Sequence, residues 1–385
     1  MRKRIAIIGA GEFQIQLIEK AKEMGYETHV FAWEKGAIGR EKADVFYPIS
    51  ITEKEKILEI CRKLNLNGVV SIGSDLAVLT VNYVARKLGL YSNPKQVEKV
   101  ATNKYEMRKA FQKCAVSVPK YLQVSESTDI DKMIKSQKFL YPVIVKPVDR
   151  SGSRGICKVD NEKELFEAIN RAIQESFSDT AIIEEYIEGE EFSCESISFQ
   201  GHHEILAFTK KYTTGAPGFI ETGHVQPAVL GKEKIVNITE EIRKGLDALH
   251  IRNGAAHTEF KLTDDGKVKI IEIGARMGGD CIGSDLVFLS TGYDYLKMVI
   301  QASVGIYPKL VQVGNKNKVF IKFIFNDEDL KKLEVMKREI PEAIYKIWIE
   351  DIVGSHKVTD SSNRFGYYIV RGDIEKKWEE YALIS

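Results

Sequence analysis

Apolar and polar positions alternate in two rhythms along this chain, and the switches between them lay out its elements. Ile5 to Ile8 is an unbroken apolar run, the pattern of a strand buried on both faces. Gly9-Ala10-Gly11 follows, then a helical stripe at Ile15, Leu17, Ile18 and Ala21. A second strand, Thr28 to Trp33, ends at Glu34. "ITEKEKILEICRKLN" carries another helical stripe behind a capping-box pair, Thr52 and Glu55. "GVVSI" predicts a strand, and "DLAVLTVNYVARKLG" a helix stopped at Gly89. Residues 1 to about 95 therefore read as a small doubly wound α/β unit.

The rhythm changes after that. Two helix starts follow in succession, one predicted at Asn93 with Pro94 behind it and one at Thr102. From about 118 to 190 the expected order is strand, helix, strand, helix, strand. "FLYPVIVKPV" and "TAIIEEYIEGEEF" are the clearer strands, with "NEKELFEAINRAIQESF" as the helix between them. From 192 to 275 the pattern is β-rich, with hairpins expected at "SISFQGHHEILAFTKK" and "HTEFKLTDDGKVKIIEIG". A helix over Tyr293 to Val304 precedes an α+β segment from about 310, in which "RFGYYIVRGD" reads as a strand pair.

Composition narrows the class. The 385 residues exceed one ordinary core and predict two or three domains. Fifty-six basic residues against 55 acidic give a net charge of +1, spread evenly, which points to neither nucleic acid nor a membrane surface. The five cysteines are far apart with no C-x-x-C pair, as in a cytoplasmic protein without disulfides or structural zinc. Glu12 breaks the opening apolar run too early for a signal peptide, and no run has the length of a membrane span.

Four places carry candidate chemistry. Asp265-Gly266 is a two-residue turn signal, and strands closing on it set Glu259 opposite Glu272 and His257 opposite Gly274. Opposed carboxylates repel unless a divalent cation joins them, and Mg²⁺ takes one or two carboxylates plus phosphate oxygens. The competing reading is a pair of solvated acids. "VIVKPVDRSGSRGI" delivers Lys146 on a strand, then a glycine-serine loop whose backbone N–H groups suit phosphate oxygens. The lysine precedes the glycines, so this is not a Walker loop, and alone it reads equally as a surface turn. Lys104 and Arg108 share a helix face, by themselves a solvated basic one. "EEYIEGEEF" sets acids at a strand end and a turn.

Taken in order, these pieces resemble the ATP-grasp superfamily: a lysine at a helix start, V-K-P with a glycine-serine loop, E-E-Y-I-x-G-x-E, then two strand glutamates and an arginine. The resemblance covers nearly the whole chain. It implies a pre-ATP-grasp Rossmann-like domain (1–95), an ATP-grasp domain of two α+β subdomains (96–308, with a lid at about 118–190) and a C-terminal closing segment (309–385). It implies ATP and Mg²⁺, with Mn²⁺ as a substitute. Lys104 and Lys146 would contact phosphates, and Ser151, Gly152, Ser153 and Gly155 would form the closing loop. Glu184, Glu185 and Ile187 would border the adenine, mostly through backbone groups, and Glu191 would hold the ribose. Glu259 and Glu272 would hold the metal. Many relatives read E-x-N-x-R at the second metal strand, whereas this chain has "EIGAR", with Gly274 in place of the asparagine and Arg276 retained.

"EIGARMGGD" and "FIETGHVQPA" further resemble the L-amino-acid ligase and carboxylate–amine ligase branch. There Glu221 and His224 would bind the amino-acid substrate, with Lys211 near the same pocket. Arg276 would neutralise a phosphoryl group, and Asp280 would meet the incoming amine. His257 reads as a base or, by the more ordinary expectation for a lone strand histidine, as structural. The implied reaction is ATP-dependent, ADP-forming C–N ligation through an acyl phosphate. Its partners are a small carboxylate and an amine, with homodimers common in the family. Within the fold, the alternative is a bicarbonate-activating carboxylase or carbamoyl-phosphate-type enzyme. Outside it stand a nicotinamide oxidoreductase built on Gly9, Gly11 and Glu34, and an ATP-binding sensor without catalysis. Gln14 stands where the dinucleotide fingerprint needs its third glycine.

Overall fold

In a computed structural model the described residues are 2–128, 132, 140–350 and 352–383. The first helix expected between 118 and 190 falls largely outside them. Among the described residues the strands make three sheets. The first is parallel, in the order β3-β2-β1-β4, from β1 (Arg4–Ile8), β2 (Glu27–Ala32), β3 (Val45–Pro48) and β4 (Gly68–Val70). Helices Glu12–Glu23, Lys54–Leu64 and Asp75–Lys87 cover it, so Ile5, Ile7 and Ile8 are fully buried, as the apolar run requires.

The turn after β1 is occupied by Gln14, the residue that stands in for the fingerprint's third glycine. Gln14 folds back over it, accepting from Gly11 N at 3.0 Å and donating to the Ile72 carbonyl at 2.7 Å. The Gly11 N–H, which in a dinucleotide site would face a pyrophosphate, is here taken by Gln14.

The second sheet, in the order β5-β8-β6-β7, holds β5 (Tyr121–Ser125), β6 (Val143–Pro147), β7 (Cys157–Val159) and β8 (Thr180–Glu185). Helix Glu162–Glu175, capped by Asn161, packs Leu165, Ile169 and Ala172 on it. The third sheet runs β13-β12-β9-β10-β11-β14-β16-β15. Its members are β9 (Glu190–Phe199), β10 (His202–Thr213), β11 (Glu221–Gln226), β12 (Gly254–Leu262), β13 (Val268–Gly274), β14 (Lys318–Ile324), β15 (Ile344–Ile349) and β16 (Gly366–Gly372). The last three come from the C-terminal segment, which continues the central sheet. No helix among the described residues is long and apolar enough to cross a membrane.

Several local expectations are corrected. "TAIIEEYIEGEEF" is two strands in different sheets: β8 ends at Glu185 and β9 begins at Glu190. Gly189 makes the crossing at φ +140°, where a Cβ would lie 2.4 Å from the Leu262 carbonyl oxygen. "RFGYYIVRGD" contributes one strand, β16, clasped between β14 and β15. Thr52 does not cap its helix, which begins after Glu53. The later helix is capped by Asn103, whose side chain accepts from Glu106 N, one residue beyond the expected Thr102. Asn93 instead ties the chain to Arg252 and Asn253 through their N–H groups.

Candidate active site

The site is laid out by strand parity. Residues two apart on a strand share a face, and directly opposed residues share it across the ladder. His257 lies opposite both Gly274 and Glu195, and Glu259 lies opposite Glu272 and Ser193. Lys211 lies opposite His224 across the β10–β11 pair. One face of the third sheet thus collects Glu272, Gly274, His257, Glu259, Glu195, Lys211 and His224.

The Glu259–Glu272 pairing is as expected, but by a different route. The connection runs from Thr263 to Lys267, closed by Thr263 N to the Lys267 carbonyl, and is longer than Asp265-Gly266 alone. A register shift between Glu259 and Phe260 sets Phe260 against Ile270 and leaves Ile271 as a bulge, which restores the pairing. The freed Ile271 carbonyl accepts from Arg108 Nη2 at 2.6 Å.

Lys211 is the hub on this face. Its ammonium lies 2.5 Å from Glu259, 3.2 Å from Glu191 and 3.5 Å from Glu221. Burial opposes its charge, but the three carboxylates win and hold its pKa well above the usual lysine value. Glu259 is half-buried, and Lys211 and His257 hold it well below the carboxylate range. His257 is not lone: Nδ1 bonds to the fully buried Glu195 and Nε2 lies 3.4 Å from Glu259. Burial pulls its pKa down, Glu195 and Glu259 together outweigh it, and the imidazole is raised to about 9. Glu195 also accepts from Gly278 N at 2.9 Å.

On the second sheet, Lys146 and Glu184 are diagonal neighbours and bond at 2.6 Å. Arg108, fully buried, reaches the other Glu184 oxygen at 2.7 Å. Burial would raise Glu184, yet the two cations hold it at about 2. Lys146 runs the other way: burial, with Arg108 and Lys104 nearby, outweighs Glu184 and lowers its pKa. Lys104 bonds Glu272 at 3.1 Å and the Arg150 carbonyl at 2.6 Å. The basic helix face is therefore buried in the site, and the Glu184 side chain, not only its backbone, takes part.

Two cavities meet here. The first, of about 680 Å³, is lined by Lys146, Ser153, Glu184, Glu185, Ile187 and Glu191, among others. The second, of about 880 Å³, is lined by Asp75, Ser151, Gly152, His224, Arg276 and Asp280, among others. Lys211, Glu221 and Glu259 line both. The glycine-serine loop spans the junction in left-handed backbone at Gly152, Ser153 and Gly155, and Ser153 Oγ donates to the Phe219 carbonyl at 3.1 Å. Gly155 lies against Pro147 and lines neither cavity.

Asp280 does not present a free carboxylate to an amine. Arg364, from the C-terminal segment, grips it at 2.5 and 3.1 Å, and His224 Nε2 lies 3.5 Å away. Burial leaves the His224 imidazole below its ordinary pKa, against the pull of Asp280. Ser361 donates to Glu221. Arg276 is paired bidentately with Asp75 of the N-terminal unit, at 2.8 and 3.2 Å. The sequence reading missed Asp75, Arg108, Glu195, Ser361 and Arg364 as site residues. Asp75 had a signal, since ligands of open α/β sheets gather beyond the carboxyl ends of strands and Asp75 follows β4.

Residues 139–285 match the family model of the ATP-grasp domain. Over that stretch the chain carries an ATP-grasp domain. Over 251 residues, 59% of this chain and 52% of the relative, it is 26% identical to alanine–anticapsin ligase of Bacillus subtilis. It spans about half the length of that relative. Among solved structures it is similar to an L-amino acid ligase from Bacillus licheniformis, with a TM-score of 0.80 and 23% identity over 99% of this chain and 96% of that one. An N5-carboxyaminoimidazole synthetase from Staphylococcus aureus complexed with ADP is similar at a TM-score of 0.75 and 19% identity, covering 98% and 95%. At these identities the structural likenesses show the ATP-grasp fold over the length of the chain.

Proposed function

We propose that this protein is an ATP-dependent carboxylate–amine ligase. The observation that carries the reading is the junction of the two cavities at Lys211, Glu221 and Glu259. A nucleotide in the first cavity points its terminal phosphate at whatever occupies the second. Lys146 and Lys104, with the 151–155 loop, hold that phosphate tail, and the 184–191 crossing borders the base and ribose.

Glu259 and Glu272 suit magnesium by their chemistry: two directly opposed carboxylates, each at present bound to a lysine. No three His, Cys, Asp or Glu side chains among the described residues form a metal cage, and Mg²⁺ ordinarily takes only one or two carboxylates beside phosphate oxygens. When bound there, magnesium would offset phosphate charge.

Phosphoryl transfer asks the protein mainly for positioning and charge neutralisation. A substrate carboxylate oxygen attacks the γ-phosphorus, and the bond to the β–γ bridging oxygen breaks with its electron pair leaving on ADP. Arg276 faces the acyl phosphate so formed. An amine then attacks the acyl carbon, phosphate departs and the amine nitrogen loses its proton. Glu221 and His224 hold the ammonium or amine end of a substrate before that step.

The test is phosphate and ADP release by the whole chain with MgATP, against single and paired amino acids and other small carboxylates, with Glu272→Gln as control. Release that needs an acid and an amine together, and is lost in the control, supports the reading. Release driven by bicarbonate alone replaces it with the carboxylase alternative.

A further inference from the structure

Gly274 leaves a gap in the acidic hairpin, and a residue from the N-terminal unit fills it. A Cβ at Gly274 would stand 3.2 Å from Asp75 Oδ1 and 3.3 Å from Arg276 Nε. Both distances are tighter than ordinary van der Waals contact, so a side chain at 274 and the Asp75 carboxylate compete for one space.

Asp75 is the first residue of helix Asp75–Lys87, behind its Ser74 cap. Its carboxylate takes Arg276 fork to fork, Nε on one oxygen at 2.8 Å and Nη2 on the other at 3.2 Å. Nη1 donates to the Met277 carbonyl at 3.3 Å. The turn carrying Asp75 is itself fixed on this strand end, since Gly73 N donates to the Met277 carbonyl at 3.3 Å. A bidentate pair has one favoured geometry, so the placement of Asp75 dictates that of the guanidinium. Asp75 and Arg276 both line the second cavity.

We propose that Asp75 is a positioning residue that occupies the space Gly274 leaves open and aims Arg276 into the second cavity. Asp75 and Gly274 are then a matched pair: each is tolerable because of the other. What Arg276 acts upon rests on the ligase reading, while the matched pair rests on geometry alone.

The experiment compares Asp75→Ala, Asp75→Asn, Gly274→Asn and the double variant Asp75→Ala/Gly274→Asn. It reads kcat and KM in the phosphate-release assay, and melting temperature in parallel. Asp75→Ala should lower kcat about 100-fold with KM for ATP within about twofold, because the phosphate-binding lysines are untouched. The near-isosteric Asp75→Asn should show the same kcat loss, which separates lost grip from lost packing. Gly274→Asn alone should lose at least about tenfold in kcat and melt several degrees lower. The double variant should recover at least about tenfold over Asp75→Ala and melt above Gly274→Asn.

A kcat for Asp75→Ala within about twofold of the parent overturns the proposal, as does a double variant no better than its worse parent. A parent chain without MgATP turnover sinks the ligase reading instead. The matched pair is then judged on melting temperature: recovery in the double variant supports it, and none overturns it.

Discussion

Two charge clusters, one buried and one half-buried, face one cleft, and they are unbalanced in opposite directions. Around Glu184 two cations, Arg108 and Lys146, share one carboxylate. Around Lys211 three carboxylates, Glu191, Glu221 and Glu259, share one ammonium. The pKa shifts follow: Lys146 is lowered by burial that Glu184 does not offset, while Lys211 is raised well above its ordinary value against burial. Burying ions without matched partners is expensive, so a fold built for stability alone would balance each cluster. The imbalance suits a ligand carrying both signs, with phosphates toward the lysines and a divalent cation toward the glutamates. MgATP is such a ligand.

The largest break in that comparison should come from the carboxylates. Glu259→Gln and Glu272→Gln should each reduce MgATP-dependent phosphate release by about 10³-fold or more, while circular dichroism reports an intact fold. Removing the shared ammonium tests stability instead. Lys211→Met takes the shared ammonium from three half-buried carboxylates, of which Glu259 keeps His257 and Glu221 keeps Ser361, and should cost about 1.5–3 kcal/mol in urea unfolding. Added Mg²⁺ should stabilise this variant more than the parent. Lys146→Met leaves Glu184 still held by Arg108, so it should cost less stability and instead weaken nucleotide binding about 10–100-fold by calorimetry. Equal stability losses in the two variants would dissolve the contrast between the clusters.

A third test uses acid. Glu184 sits at about 2 in the fold, below its ordinary 4.5, because Arg108 and Lys146 outweigh burial. Its contribution is therefore complete above about pH 4.5 and is lost as the pH falls toward 2, a span of about 3 kcal/mol. Urea unfolding at pH 5, 4 and 3 should show stability falling with pH. In Glu184→Gln that slope should be shallower, whatever the variant's absolute stability.

The two clusters were not equally legible in the sequence. Lys146, Glu184, Glu259 and Glu272 each sit on a strand or a turn with a strong local pattern, and the sheets bring them to one cleft. The Glu259–Glu272 pairing was found through two departures that cancel: a longer connection and a bulge at Ile271. The carbonyl freed by the bulge is taken by a residue distant in sequence, Arg108, and local pattern shows neither. Arg108 read as a solvated basic residue because its burial depends on the second and third sheets closing over its helix. Asp75 and Arg364 come from the two ends of the chain, and their arrival depends on how those segments dock. The break at Gly189 was hidden for a related reason. An apolar run looks the same whether one sheet or two receive it.

The smallest expected effect lies where the C-terminal segment touches the acidic cluster. Ser361 donates to Glu221, and a Cβ at Gly152 would lie 4.0 Å from the Ser361 Cβ, in ordinary contact. Ser361 thus meets both the acid of the second cavity and the loop over the junction. Glu221 keeps Lys211 at 3.5 Å when the hydroxyl is removed, and the site is open enough for water to replace that donor. Ser361→Ala should therefore change stability by no more than about 1 kcal/mol. It should raise KM for the substrate of the second cavity about two- to threefold and leave KM for ATP unchanged. A rise in KM for ATP instead would mean that the C-terminal segment acts through the loop, and that the acid-rich cluster reaches further into the nucleotide cavity than its lining residues indicate.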